Sequence, residues 1–136
     1  MDWSPLVPEL FVSDYRESIG FYDEMLGATV EFTRDEPPFA YLSVEDAQLM
    51  IQEHRVDERW VTGALTYPYG RGVNLQIEVT TLDPYVERCQ SEGYPLFEAP
   101  EEWWYRAAGV EHGQREFLVQ DPDGYLLRFV ESLGTR

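Results

Sequence analysis

Glu116–Glu131 reads Glu-Phe-Leu-Val-Gln-Asp-Pro-Asp-Gly-Tyr-Leu-Leu-Arg-Phe-Val-Glu. Its centre, Asp121-Pro122-Asp123-Gly124, is turn chemistry: Pro fixes φ, Asp bonds its own backbone and Gly tolerates positive φ. β-prone apolar runs flank it, so the stretch is expected to be a hairpin. Strands are expected over Val110–Gln120 and Gly124–Glu131.

Working back from the hairpin, Ala99–Ala108 reads as an irregular aromatic loop and Pro95–Glu98 as a short strand. A helix is expected from Asp83 to about Glu92, with Tyr85, Val86 and Cys89 on its apolar side and Gly93 ending it. Gly72–Val79 alternates as a strand, with Leu75, Ile77 and Val79 on one face and Asn74, Gln76 and Glu78 on the other. His54–Arg71 is polar and without a period. It is expected to be a linker with a short helical turn around Asp57–Trp60.

The first half follows the same plan. Leu6–Ser13 reads as a strand. Asp14 is a plausible N-cap with Glu17 in capping-box spacing. Tyr15–Leu26 is expected to be a helix on the spacing of Ile19, Tyr22 and Leu26, closed by Gly27. Strands follow at Thr29–Thr33, Phe39–Val44 and Gln48–Glu53, with a turn at Asp35–Pro38. The order is β-α-β-β-β, linker, β-α-β-β-β. Val12-Ser13-Asp14 matches Val79-Thr80-Thr81, and Leu49-Met50-Ile51 matches Tyr125-Leu126-Leu127. The reading is an α+β chain of one domain, residues 1–136, with a first module at about 5–54, a linker at about 55–71 and a second module at about 72–132. Modules this small are expected to bury a joint core.

Composition narrows the function classes. The chain has 136 residues, 43% of them hydrophobic, and a net charge of −16 from 26 acids and 10 bases. Repulsion argues against nucleic acid or an anionic membrane as partner, and it favours a cationic ligand. No apolar run is long enough to span a bilayer, and Met-Asp-Trp-Ser-Pro shows no leader. The lone Cys89 excludes an intramolecular disulfide, and a cytoplasmic location is the default. Aromatics make up 15% of residues, which suits a binding cleft or interface.

Phe21-Tyr22 followed by Leu26-Gly27, Val12-Ser13-Asp14 before that helix, and the closing Asp121-Pro122-Asp123-Gly124 stand in an order that resembles the glyoxalase / bleomycin-resistance / extradiol-dioxygenase superfamily. The resemblance covers nearly the whole chain. It implies two βαβββ modules forming curved mixed sheets, helices outside and sites in the concavities. It also implies a homodimer for many members, in some of which modules of different chains share a cup. Metal-dependent relatives take ligands from four strands. The corresponding places here are Val7, Gln52, Asn74 and Arg128, a set unsuited to zinc, iron or nickel. His54 and His112 lie elsewhere. No metal, cofactor or catalytic residue is therefore expected.

Val7-Pro8-Glu9-Leu10, Arg115-Glu116-Phe117 and the Leu-Leu-Arg ending at Arg128 look like the bleomycin-resistance subgroup. Its members are acidic dimers that sequester a large cationic glycopeptide antibiotic without chemistry. Such a ligand needs stacking faces and carboxylates. The candidates are Phe39, Trp60, Trp103, Trp104 and Tyr105 for stacking. Glu9, Gln76 and Glu78 supply the polar face, with Arg115 and Arg128 as possible ion-pair partners. The alternatives are an isomerase, lyase or dioxygenase of the same superfamily, using Glu9, Glu78 or His112 as base, and a binding domain for an unrelated metabolite.

Overall fold

The computed structural model describes residues 2–57 and 59–136. Met1, at the head of the segment read for a leader, and Glu58, inside the expected helical turn, lie outside the described residues. Val56–Asp57 and Arg59–Trp60 on either side form turns.

Among the described residues, eight strands and two helices repeat one unit twice. The first unit is β1 (Glu9–Val12), α1 (Tyr15–Ile19, continuing as a π-helical segment over Gly20–Met25), β2 (Thr29–Asp35), β3 (Pro38–Val44) and β4 (Ala47–Glu53). The second is β5 (Asn74–Glu78), α2 (Asp83–Ser91), β6 (Glu98–Ala107), β7 (Val110–Gln120) and β8 (Leu126–Thr135). Each unit forms its own four-stranded mixed sheet, in the orders β1-β4-β3-β2 and β5-β8-β7-β6. The first strand of each pairs in parallel with the last. Among the described residues, no helix is long and apolar enough to cross a membrane.

The helix starts where its cap is. Asp14 is extended and its carboxylate accepts from the Glu17 N–H at 3.1 Å, so one orphan donor is satisfied. The helix then widens: the Leu26 N–H reaches Phe21 O at 2.9 Å, a five-residue step. The wider turn lets Phe21, Tyr22 and Leu26 all bury. Gly27 ends it at φ +80°, a left-handed conformation that glycine takes without a Cβ clash.

One buried cluster draws on both units. It takes Leu10, Val12, Leu42 and Ile51 from the first sheet, Ile77, Phe117, Leu127 and Phe129 from the second, and Tyr22, Tyr85 and Cys89 from the helices. Each sheet therefore has a helix-covered face, and the alternate residues form an open face.

The two halves also grip each other through their last turns. In the Asp121–Gly124 turn, Asp121 Oδ1 accepts from the Asp123 and Tyr125 N–H groups, both at 2.9 Å. Asp121 Oδ2 accepts from the Tyr22 hydroxyl at 2.8 Å. The Asp123 carboxylate accepts from the Ser13 N–H at 3.0 Å and from its hydroxyl. The matching turn of the first unit reciprocates: Glu45 Oε1 accepts from the Thr80 N–H and hydroxyl, both at 2.8 Å, and Oε2 from the Tyr85 hydroxyl at 2.8 Å. Glu53 and Glu131 then accept from the N–H groups of Tyr15 and Leu82 at the two helix starts.

Three expectations need correction. Pro95–Glu98 is not a strand of its own: Pro95, Leu96 and Phe97 are irregular, and Glu98 begins β6. Ala99–Ala108 is not a loop: Glu98–Ala107 is the ten-residue edge strand β6, paired with β7. Trp and Tyr are strand formers, and their alternation hides in a run of three aromatics. The match of the two last strands is also displaced. Register pairs Glu9 with Met50 and Gln76 with Arg128, so Met50, not Gln52, corresponds to Arg128. A shift of two residues keeps every side chain on its face, so alternation cannot detect it.

Candidate functional site

What distinguishes the candidate residues is which of them reach the open faces. In the first sheet, Leu10, Leu49, Ile51, Ala40 and Leu42 face the core, so Glu9, Phe39, Tyr41, Met50 and Gln52 take the other side. Phe32 from β2 stacks on Tyr41, with centroids 5.3 Å apart. Trp3 meets Tyr41 edge-on at 4.9 Å, held over the sheet by the Ser4 N–H donating to Gln48 at 2.8 Å. The Arg34 guanidinium lies 4.5 Å from the Phe39 centroid. Phe39 is therefore only 1% exposed, covered by its neighbours rather than offered for stacking. Trp60, by contrast, is 72% exposed. It lines a cavity of about 260 Å³ with Glu9, Arg34, Gln52 and Arg59.

The second open face is more polar. Gln76, Glu78, Tyr105, His112 and Gln114 line a cavity of about 250 Å³. Tyr105 stacks on His112 at 5.7 Å. Trp103 pairs across the ladder with Gln114 and Tyr105 with His112. The two rings are 52% and 50% exposed, so they stand on this face as accessible surfaces. Arg128 is tied down, donating to Asn74 Oδ1 at 3.0 Å and to Glu116 at 3.3 Å.

Two candidates leave the face. Trp104 points the other way. Its ring covers Gly113, where a Cβ would lie 2.5 Å from it, and carries the Arg136 guanidinium at 4.0 Å. Its indole N–H donates to Glu102 at 2.9 Å. Arg115 shares the helix-covered side, donating to Asp83 at 2.9 Å beside the start of α2. Alternation within β6 and β7 separates these two from Trp103 and Tyr105. The strand reading needed to see this is absent when β6 is taken as a loop. The Trp3, Phe32 and Tyr41 cluster and the arginines at positions 34 and 59 were missed. Phe32 and Arg34, like Phe39 and Tyr41, show the period-2 signal that could have found them.

The donors do not fit a divalent metal. Register makes Met50 of the first unit the counterpart of Arg128 in the second, and the Arg128 guanidinium bonds Asn74 Oδ1 directly. Among the described residues no three His, Cys, Asp or Glu side chains converge. Cys89 is buried on α2, and burial pushes its thiol up, the opposite of what a nucleophile needs.

Titration is perturbed in the turn locks. Burial pushes the Asp121 carboxyl up to about 6, against the hydrogen bonds it accepts. Burial, then the Asp121 charge, holds the Tyr22 phenol well above its ordinary value. At Glu45 burial raises the carboxyl, but the bonds from Thr80 and Tyr85 outweigh it and leave it low.

These features agree with known relatives. The sequence profile of the Glyoxalase/Bleomycin resistance protein/Dioxygenase superfamily matches residues 6–129. The chain belongs to that superfamily. A bleomycin resistance protein of Geobacillus stearothermophilus is 29% identical over 138 aligned residues, covering 93% of this chain and 96% of that one; one from Staphylococcus aureus matches equally. Among solved structures, TioX from Micromonospora sp. ML1 superposes with a TM-score of 0.67 at 17% identity, over 94% of this chain and 95% of that one. FosX, the genomically encoded fosfomycin resistance protein of Listeria monocytogenes, gives 0.59 at 17%, over 97% and 94%. At those identities the likeness concerns the fold.

Proposed function

We propose that the chain is a small-molecule-binding protein that sequesters a flat, cationic aromatic antibiotic of the bleomycin kind without changing it. The observation that carries this reading is the second open face. There Tyr105 lines a cavity with Glu78, Trp103 stands opposite Gln114 on the same face, and both aromatic residues are half-exposed. Ring faces stack on a planar ligand, and the carboxylate suits its cationic end. The excess of 26 acids over 10 bases speeds a cation's approach. The relatives named bleomycin resistance protein, aligned over nearly the full chain, support the ligand class.

The proposal includes a homodimer. Trp60, Trp103 and Tyr105 remain exposed on faces that a second copy would close into clefts. It also places the protein in the cytoplasm, where a single buried thiol needs no partner.

Calorimetric titration with metal-free bleomycin tests the reading. Saturation near about one ligand per chain at roughly sub-micromolar Kd, weakening as salt rises, with bleomycin recovered at unchanged mass, is expected. No binding, or a modified product, overturns it.

A further inference from the structure

All ten bases of this acidic chain are arginines. Arg55, Arg106, Arg115, Arg128 and Arg136 each lie within 4.0 Å of a carboxylate. Arg16, Arg34, Arg59, Arg71 and Arg88 meet none among the described residues, although acids are plentiful. Of these, Arg34 and Arg59 line the cavity beside Trp60. The Arg34 guanidinium lies over the Phe39 ring, 4.5 Å from its centroid. A guanidinium grips an oxyanion with two parallel bonds. Among the described residues, Arg34 and Arg59 share this cavity with the carboxylate of Glu9, in a chain of net charge −16.

We propose that this cavity is a subsite for an oxyanion carried on an aromatic ring, with the ring against Trp60 and the oxyanion between Arg34 and Arg59. The proposal rests on the open face being a ligand site, and not on the ligand being bleomycin. It narrows the ligand class to aromatic molecules with an acidic substituent, whatever cationic group they carry elsewhere.

The test is nitrogen-edited NMR of the intact protein titrated with naphthoate, naphthyl phosphate and neutral naphthamide. Naphthoate or naphthyl phosphate should shift the Arg34 Nε–H and the Trp60 indole N–H saturably, and the tighter of the two names the oxyanion. Naphthamide should not. Arg34→Gln and Arg59→Gln should each weaken binding about tenfold, the loss of one charge-assisted pair, with unchanged circular dichroism. Arg59 lies outside the strands, so its variant leaves β2 untouched. Equal shifts from naphthamide, no shift from either oxyanion, or unchanged affinity in both variants overturns the subsite. If bleomycin still binds when the oxyanions fail, only the subsite falls; if neither binds, the reading of the open face falls with it.

Discussion

At the strand–helix junction of the first unit, Ser13 is held by Asp123; at the matching junction of the second, Thr80 is held by Glu45. The two locks are alike in plan, and so are the Glu53 and Glu131 contacts to the helix starts. The open faces have gone separate ways. The first carries a packed aromatic cluster under Arg34, while the second carries Gln76, Glu78 and Gln114 around two accessible rings. The side that must bury a shared core has kept its chemistry through the duplication. The side free of that demand has diverged, and the ligand recognition we propose lies there.

The locks differ in burial, and that difference can be broken. Asp121 is 2% exposed, with a carboxyl raised from 3.8 to about 6. The folded protein therefore holds this proton more tightly than the unfolded chain. The resulting stability is full below about pH 4 and is lost as pH rises through about 6. Asp121→Asn removes this dependence. Its stability relative to wild type should rise by up to about 3 kcal/mol between pH 4 and pH 7 in denaturant melts. A difference constant with pH would contradict the buried, charged turn.

A smaller effect separates the two capping carboxylates. Asp123 is buried and Glu45 is exposed. Asp123→Ala should cost about 2–3 kcal/mol and Glu45→Ala about 1 kcal/mol, because solvent replaces the bonds of the exposed group. Equal costs would mean that the two locks are energetically equivalent despite their burial.

Much of this was legible in the sequence. The order of elements, the Asp14 cap, the Gly27 stop and the closing turn all depend on local chemistry, and local chemistry is written residue by residue. The correspondence of β4 with β8 was not legible, since it is set by the pairing of each with the distant first strand of its own unit. The sense of β6 was lost because Trp103-Trp104-Tyr105 offers no polar residue to mark a face. Phe39 was legible as an aromatic but not as a covered one, because Arg34 reaches it only through the β2–β3 ladder. The reciprocal locks join Ser13 to Asp123, 110 residues away, a distance no local pattern spans.

Trp103 and Trp104 are neighbours in sequence and opposites in the fold, so they test the divided faces most directly. The measurement is nitrogen-edited NMR of the indole N–H groups during titration with metal-free bleomycin, with Trp103→Ala and Trp104→Ala assigning the signals. The Trp103 indole should shift and the Trp104 indole should stay. Trp103→Ala should weaken binding about tenfold, while Trp104→Ala should cost about 1–2 kcal/mol of stability at near-normal affinity. A shift at Trp104 with none at Trp103 would contradict the assignment of ligand recognition to the open face.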